Sequence, residues 1–240
     1  MRIALLGYGR MGRAIEQEAQ ARGHEVTHCI DQENRDQLSQ LSPQTTDVVI
    51  EFTHPDSFET NRQAVLAAGL PLVVGTTGWY DRLEAIRQEV EDQQGALLYA
   101  SNFSVGVNLF FKLNQRLAEL MNGQPEYDPF IEERHHRHKA DGPSGTAHTL
   151  ARDLVARLDR KARIGDEALR HRAPEPDELS VSFARGGDIK GTHRVVYTSE
   201  IDSLSIEHQA HSRRGFALGA VIGAEWLYGK QGFYEFADIF

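Results

Sequence analysis

The chain has 240 residues, of which 40% are hydrophobic and 25% charged, a composition typical of a globular protein. Its net charge of −9, with 26 Lys and Arg against 35 Asp and Glu, argues against a nucleic-acid partner, which would need a basic face. We see no apolar run long enough to span a bilayer, no signal peptide and a single cysteine. We therefore expect a cytoplasmic protein without a membrane partner or a disulfide framework.

Short apolar runs alternate with amphipathic segments over the N-terminal part of the chain. The run "RIALLGY" is continuous, as in a strand buried on both faces, and "HEVTHCID", "TDVVIEFT", "LPLVVGTTG" and "ALLYASN" are further strand candidates. Helices are predicted between them, as in "PDSFETNRQAVLAAG", which starts at Pro55 and stops at Gly69. This alternation predicts parallel β-α-β units, hence an α/β fold with a Rossmann-like, doubly wound parallel sheet.

The pattern changes after Asn102. "VNLFFKLNQRLAELMNG" predicts a long helix, "YDPFIEERHH" a strand, and "GTAHTLARDLVARLD" a second amphipathic helix. The segment "LSVSFARGGDIKGTHRVVYTSEIDSLSIEHQAHS" alternates with period two, which predicts an antiparallel meander with one open face. The long helix carries one apolar stripe, formed by Leu109, Leu113, Leu117 and Leu120.

The last apolar segment, "RGFALGAVIGAEWLYGK", predicts a helix that returns to the first sheet. The order of elements then predicts two domains. Residues 1–103 plus 215–240 would form a dinucleotide-binding domain, and residues 104–214 an inserted α+β domain, with an antiparallel sheet, for substrate binding and oligomerisation.

A glycine-rich loop, "GYGRMG", joins the first strand to the first helix. Gly7, Gly9 and Gly12 have G-x-G-x-x-G spacing, which lets main-chain N–H groups approach a pyrophosphate. Asp31 ends the second strand, near the offset of about 20 residues at which an acidic side chain meets the ribose hydroxyls. Its carboxylate would repel a 2′-phosphate, so we expect NADH to be preferred, without excluding NADPH. The alternatives are glycines that serve only a tight turn and an Asp31 that only caps one.

Two further segments end strands at the edge where ligands bind in such sheets. "GTTGW" offers main-chain and hydroxyl donors beside a nicotinamide, although a plain turn is an equal alternative. In "ASNFSVGVN", Asn102 could bond the carboxamide and Phe103 could pack on the ring. The residues predicted to bind the cofactor are Gly7, Tyr8, Gly9, Arg10, Met11, Gly12, Asp31, Gly75, Thr76, Thr77, Ala100, Ser101, Asn102 and Phe103.

Residues 133 to 147, "ERHHRHKADGPSGTA", place five potential cations in consecutive positions before the start of a helix. Unpaired N–H groups and the positive end of the helix dipole favour an anion there, which predicts a small dicarboxylate ligand. One alternative is a solvated basic strand end. Another is a zinc site, because His136 and His138 would share a strand face. Arg137 and Lys139 oppose it, as does the lack of a nearby cysteine, and we expect no metal.

These segments closely resemble landmarks of the 4-hydroxy-tetrahydrodipicolinate reductases, also called dihydrodipicolinate reductases. "ERHHRHKADGPSGTA" resembles their substrate signature, and "GYGRMG", "GTTGW", "SNFSVGVN" and "RGGDIKGTH" resemble further landmarks in the same order. Gly142 departs from the family, which usually has alanine there, and the nucleotide loop is one residue shorter than its longer form. The resemblance implies reduction of a cyclic, unsaturated imine dicarboxylate by NADH or NADPH in the diaminopimelate route to lysine.

The resemblance also implies site residues and an assembly. His135 is the implied proton donor, and Lys139 binds a carboxylate and can act as an acid. The implied substrate-binding residues are His136, Ser144, Gly145 and Thr146. The family is usually a homotetramer that associates through the sheet of its C-terminal domain, for which the open-faced meander of this chain would serve.

The chemistry of the residues agrees with that implication. Reduction of a conjugated imine needs a hydride and a proton, and a histidine suits the proton step because its ordinary pKa lies near working pH. We expect Arg137 and Lys139 to lower the pKa of His135 until a dicarboxylate binds and reverses the effect. Two rivals remain, a dehydrogenase of small amino or hydroxy acids and a non-catalytic dinucleotide sensor.

Overall fold

The computed structural model describes residues 1–165 and 172–240 and divides the chain into two compact units. The first unit comprises residues 1–108 and 214–240, and the second comprises residues 109–213. These bounds lie within a few residues of the predicted domain boundaries, while the roles assigned to the two domains stay a prediction. In the described part of the chain, no helix is both long and apolar enough to cross a membrane.

The first unit is built on a six-stranded sheet in the order β11-β5-β4-β3-β1-β2, and every pair of neighbours is parallel. The chain order reverses between β1 and β3, and the carboxyl ends of strands at such a reversal form the ligand crevice of a doubly wound sheet. The parallel sheet predicted from the sequence is confirmed. Its strands are β1 (Arg2–Leu6), β2 (Glu25–Ile30), β3 (Val48–Glu51), β4 (Leu72–Val74), β5 (Ala96–Tyr99) and β11 (Gly232–Glu235).

Helices cover both faces of this sheet, which is why its strands are apolar on both sides. Along β1, Ile3 and Leu5 belong to one core cluster, and Ala4 and Leu6 to the other. Each fully buried leucine or isoleucine side chain among them contributes about 1.5–3 kcal/mol to folding. The helices that contribute to the two clusters are α1 (Arg10–Ala21) and α6 (Arg214–Leu227) on one side, and α2 (Pro55–Ala67) and α3 (Leu83–Asp92) on the other.

The second unit has a five-stranded sheet in the order β10-β9-β6-β8-β7. Helix α4 (Val105–Asn122), most of which lies in this unit, and α5 (Gly145–Val155) share a core cluster with one face of the sheet. That cluster includes Phe110, Ile131, Leu150 and Tyr197. The strands are β6 (Asp128–His135), β7 (Arg163–Ile164), β8 (Glu178–Arg185), β9 (Thr192–Thr198) and β10 (Ser203–Gln209).

The second sheet is mixed, which corrects the predicted antiparallel meander. Strand β6 lies between β8 and β9, and Ile131 faces Val181 in the parallel direction and Val195 in the antiparallel direction. Helix α5 connects β6 to the parallel strands β7 and β8, as a β-α-β crossover requires. Only β9 and β10 form the expected antiparallel hairpin. Period-two alternation determines which face of the sheet a side chain occupies, but it does not determine which strand lies next to it.

The leucine stripe predicted on α4 is not the face that packs in the core. Leu109, Leu113 and Leu120 are 48%, 52% and 57% exposed, while Leu117 is partly buried. The buried face includes Phe110 and the fully buried Asn114, whose amide donates to the carbonyl of Leu150 in α5 at 3.2 Å. A buried polar residue therefore joins the two helices, and an apolar pattern does not reveal it.

Candidate active site

The first unit contains a cleft of about 470 Å³ at the carboxyl ends of β1 and β3, a volume that suits a small ligand or part of a dinucleotide. Its lining includes Gly7, Tyr8, Gly9, Asp31 and Thr53. The predicted glycine loop and the predicted acidic residue therefore meet in one cleft.

The three glycines of the loop differ in what a side chain at each position would contact. Gly7 has φ +91°, and a Cβ on it would lie 2.1 Å from the carbonyl oxygen of Phe52. A Cβ on Gly12 would lie 2.2 Å from the carbonyl oxygen of Gly7. Gly9, the N-cap of α1, has no described atom within 4 Å of such a Cβ. Packing thus requires two of the glycines, whereas the third leaves open space at a helix start, as pyrophosphate binding needs.

Asp31 follows β2 and is exposed. Its Oδ1 accepts from the Glu33 N–H at 2.9 Å, and its own N–H donates to Asn34 Oδ1 at 2.7 Å. The turn-capping alternative is therefore realised, but it uses only one carboxylate oxygen. Asp31 also lines the cleft together with Glu33 and Arg35, so capping does not remove it from the candidate site.

A buried carboxylate joins the loops that follow β3 and β4. Glu51 is fully buried and accepts from the hydroxyl of Thr53 and the amide of Asn61. Burial raises the pKa of Glu51, and hydrogen bonds from Thr53, Thr76 and Asn61 offset only part of that rise. The Thr76 hydroxyl accepts from the Thr53 N–H at 2.8 Å, so this side chain is engaged inside the unit, while Thr77 is exposed.

The loop after β5 reaches the same edge of the sheet, because β3, β4 and β5 are parallel neighbours. Asn102 is half-buried, and its Oδ1 accepts from the Ser104 N–H at 2.9 Å. Phe103 is 2% exposed, with its ring against Phe52 and Phe236. The ring therefore belongs to the core, contrary to its expected packing on a nicotinamide, and its main chain remains the candidate contact.

The other predicted cofactor residues occupy the same loops. Tyr8, Met11 and Gly75 are half-buried, Arg10 and Ser101 are exposed, and Ala100 is buried.

The candidate substrate site lies in the second unit, where β6 places Glu133 and His135 on its buried face. Glu133 is 1% exposed, and its carboxylate accepts from the Ser144 N–H at 3.0 Å. It also lies 2.7 Å from Arg185 Nη2 and 3.3 Å from His193 Nε2. Burial alone would raise the pKa of Glu133, but the hydrogen bonds from His193, Ser144 and Arg185 outweigh it and hold the pKa well below its usual range.

Helix α5 starts beside this carboxylate. Ser144 is the N-cap, and its Oγ accepts from the Ala147 N–H at 3.3 Å and lies 3.1 Å from His193 Nε2. Its hydroxyl is thus already used for capping the helix, and its contact with substrate stays a prediction. Gly145 is exposed and Thr146 half-buried, and the first turn holds no acidic residue. Their main-chain N–H groups have no partner within the helix and suit an anion.

The side chains of the basic cluster, residues 135–139, differ in their burial and in their partners. Lys139 Nζ lies 2.7 Å and 2.9 Å from the two carboxylate oxygens of Asp141, and this hydrogen bond lowers the pKa of Asp141. Strand β6 ends at His135, so His136 and His138 do not share a strand face, which corrects the premise of the zinc alternative. Arg137 and His138 are exposed, whereas His136 is half-buried.

His135 is 8% exposed, and its ring centre lies 5.1 Å from that of His193. Burial lowers the pKa of His135 to about 4; Glu133 acts against this fall, and His193, Lys139 and Arg185 add to it. The expected lowering is present and Lys139 contributes to it, but burial is the main cause. The second arginine or lysine that lowers the pKa of His135 is Arg185 of β8, where Arg137 was expected.

Glu133, Arg185 and His193 were missed as site residues. The Arg185 guanidinium bridges Glu133 and the carbonyl oxygens of Lys139 and Asp141, so it fixes the loop between β6 and α5. Two signals were available, the position of Glu133 two residues before His135 on one strand and the segment "RGGDIKGTH". Neither indicates that these strands are neighbours.

A metal ion is not assigned to this cluster. Glu133, His135 and His193 offer ligand atoms within 4.8 Å of one another. The guanidinium of Arg185 already lies 2.7 Å from Glu133 Oε1, and its charge would repel a cation.

Comparison with known families covers nearly the whole chain. The family model "Dihydrodipicolinate reductase, N-terminus" matches residues 1–103, and "Dihydrodipicolinate reductase, C-terminus" matches residues 106–240. The chain belongs to the dihydrodipicolinate reductase family. The resemblance predicted from the sequence is confirmed, and the chain is an NAD(P)H-dependent oxidoreductase as members of this family are.

Individual relatives agree with the family model. The 4-hydroxy-tetrahydrodipicolinate reductase of Christiangramia forsetii is 43% identical over 242 residues, which cover 100% of this chain and 97% of the relative. The enzyme of the same name from Akkermansia muciniphila is 39% identical over 241 residues, with 96% and 94% covered. The dipicolinate-bound dihydrodipicolinate reductase from Paenisporosarcina sp. TG-14 has a TM-score of 0.78 at 21% identity and covers 100% of this chain and 99% of its own. This last likeness shows the fold.

Proposed function

We propose that the chain reduces 4-hydroxy-tetrahydrodipicolinate, or the dehydrated dihydrodipicolinate ring, to tetrahydrodipicolinate in the cytoplasmic diaminopimelate route to lysine. The observation that carries the proposal is the start of α5, whose N–H donors stand beside the buried Glu133 and the histidine His135. Such a helix start suits a carboxylate, and the adjacent imidazole suits a proton transfer.

The cofactor is proposed to bind in the first unit. The open space at Gly9 and the N-terminus of α1 fit a pyrophosphate, and the loops after β3, β4 and β5 stand at the sheet edge where a nicotinamide would lie. NADH or NADPH supplies the hydride when bound. We propose NADH as the preferred form, because two negative charges, on Asp31 and Glu33, line the cleft beside one arginine, Arg35, and on balance oppose a 2′-phosphate.

The substrate is proposed to bind in the second unit through its two carboxylates. One carboxylate would accept from the main chain of Gly145 and Thr146 at the start of α5. Lys139 would hold the other, exchanging Asp141 for the ligand, while the half-buried His136 makes a further contact. The proposed exchange has a low energetic cost, because a partly exposed ion pair is worth at most about 1 kcal/mol.

His135 is proposed to donate the proton. Its low pKa would leave the imidazole neutral at pH 7, so the reaction needs a means of charging it. An arriving dicarboxylate brings negative charge close to His135 and Lys139 and would raise the pKa of His135. In this proposal the substrate promotes the protonation of its own acid.

The experiment follows the absorbance of the reduced nicotinamide after the pure protein is mixed with the product of dihydrodipicolinate synthase. NADH and NADPH are tested in parallel. Substrate-dependent oxidation is expected, faster with NADH. Tight NADH binding without oxidation would contradict the proposed reaction and favour the dinucleotide sensor. The same outcome would also favour the rival dehydrogenase of small amino or hydroxy acids, whose substrates this assay does not contain.

A further inference from the structure

A carboxylate and an imidazole lie side by side within the proposed substrate site. Glu133 and His135 are two residues apart on β6, and their side chains are both buried on the same face of the strand. His135 Nδ1 is 3.6 Å from Glu133 Oε1, and it is a buried atom without a hydrogen-bond partner in the described chain. An unpaired buried nitrogen is costly, so a small approach of the two groups would be favourable.

The opposite side of the ring is bounded by a glycine. A Cβ on Gly191 would lie 3.0 Å from His135 Nε2, closer than an ordinary contact, so only a glycine keeps a side chain away from that nitrogen. The two nitrogens therefore have different surroundings, with a carboxylate near Nδ1 and a glycine without a side chain near Nε2. This is the arrangement in which one nitrogen is held and the other can transfer a proton.

We propose that Glu133 is a positioning residue for the proton donor, which accepts a hydrogen bond from His135 Nδ1–H and thereby directs Nε2 toward the reacting carbon of the substrate. This inference deepens the proposed function and rests on it. Glu133 itself touches no reacting atom in this role.

Charge supports the same assignment. The charged and titratable groups that act on His135 are Glu133 on its own strand, His193 on β9, Arg185 on β8 and Lys139 in the following loop. Glu133 is the anion among these four and is the group that raises the pKa of His135. A protonated His135 would face the other three without a counter-charge if Glu133 were neutral.

A purely structural role is the alternative, because Glu133 also binds Ser144 and Arg185. Such a role would change stability and leave the tautomer and pKa of His135 unaltered. The test must therefore read the imidazole itself.

In the wild-type protein, ¹⁵N NMR of the histidine side chains reports which ring nitrogen carries the proton. We expect neutral His135 to be protonated at Nδ1, with the signal assigned by its loss in His135→Asn. Predominant protonation at Nε2 would overturn the inference. This measurement needs no turnover, so its failure is distinguishable from a failure of the proposed reaction.

The second arm compares Glu133→Gln with Glu119→Gln, which neutralises a carboxylate of the same unit, on α4, that lies 2.8 Å from Arg116. Glu133→Gln should lower the pKa of His135 by about one unit, in the range expected for loss of a nearby opposite charge. The kcat at neutral pH should fall at least tenfold, and the limb of the kcat–pH profile that reports the acid should move to lower pH. Glu133→Asp, which keeps the charge, should recover part of the loss, and Glu119→Gln should behave as wild type. An equal pKa of His135 in Glu133→Gln and wild type would refute the positioning role.

Discussion

Single side chains in the two candidate sites carry two functions at once, and the substitutions that test them must separate these functions. Asp31 caps a turn through Oδ1 and lines the cofactor cleft. Lys139 pairs with Asp141 and is proposed to bind a substrate carboxylate. A variant that removed both functions of such a residue would be uninformative.

Asp31→Asn keeps the oxygen that accepts from the Glu33 N–H and removes only the charge. We expect the ratio of kcat/KM for NADPH to that for NADH to rise about tenfold, or about 1.4 kcal/mol, because the repulsion of a 2′-phosphate is relieved. Steady-state kinetics with both cofactors measure this ratio, and Asp36→Asn, outside the cleft lining, is the matched control. An unchanged ratio would show that Asp31 serves only its turn.

Lys139→Ala should raise KM for the substrate at least tenfold and lower kcat as well, because a misplaced carboxylate also misplaces the reacting carbon. The control is Arg116→Ala on α4, which removes a cation that is likewise paired, with Glu119 at 2.8 Å. The comparison uses substrate titrations at saturating NADH. Wild-type kinetics in Lys139→Ala would show that the basic cluster is only a solvated surface.

At the scale of elements, the loop between β6 and α5 packs against β8 through Gly142, the position at which the family resemblance predicts an alanine. A Cβ on Gly142 would lie 2.7 Å from the ring of Phe183 and 2.9 Å from Arg185 Nη2. The Arg185 guanidinium lies over the same ring, 4.8 Å from its centre. Phe183 thus fills the space that the methyl group of an alanine would need.

Gly142→Ala should destabilise the protein by about 1 kcal/mol, the low end of the cost of overpacking, because Phe183 is 37% exposed and its ring can move. Phe183→Leu combined with Gly142→Ala should recover part of that loss, since a smaller side chain makes room for the methyl group. Urea unfolding of the wild type, the two single variants and the double variant gives the coupling energy. Strict additivity would contradict the contact.

The buried Glu51 makes the connection between the loops after β3 and β4 sensitive to pH. Because burial raises its folded pKa, Glu51 stabilises the native state most below its unfolded pKa of about 4.3. That stability is lost as the pH rises through the folded pKa.

Glu51→Gln, which cannot ionise, should therefore be more stable relative to wild type at pH 8 than at pH 5. Urea unfolding at the two pH values measures the difference, and the exposed Glu84→Gln on α3 serves as control. A pH-independent difference would show that Glu51 does not change its protonation between folded and unfolded states over this range.

At the scale of the whole molecule, the second unit offers a sheet face for assembly. The face opposite the core cluster carries Phe130, Glu132 and Arg194. We predict a homotetramer through this face, with a solution mass four times the 26.9 kDa of one chain by light scattering. Phe130→Arg should yield smaller species with an unchanged circular dichroism spectrum. A monomeric wild-type protein would contradict the prediction.

The sequence was sufficient for the parallel sheet, because continuous apolar strands, helix-start residues and closing glycines all act over a few neighbouring positions. The sequence was insufficient for predicting the mixed sheet, because the alternation in β8 does not indicate that β6 is the neighbouring strand. The same limit concealed half of the substrate site. Glu133 and Arg185 meet at 2.7 Å although they lie 52 positions apart. Side chains within one short motif were predictable, and partners supplied by a distant strand were not.

The pair of Lys139 and Asp141 also has a consequence for the selection of ligands. Asp141 is tethered two positions away and therefore competes for the ammonium group at a high effective concentration. At the proposed site, a free acid with one carboxylate would have to displace this tethered rival without any compensating contact. A ligand already anchored at the start of α5 is itself tethered and competes on equal terms. In the proposed mode of binding, Asp141 therefore favours a dicarboxylate over a monocarboxylate by no more than the ~1 kcal/mol that the ion pair is worth.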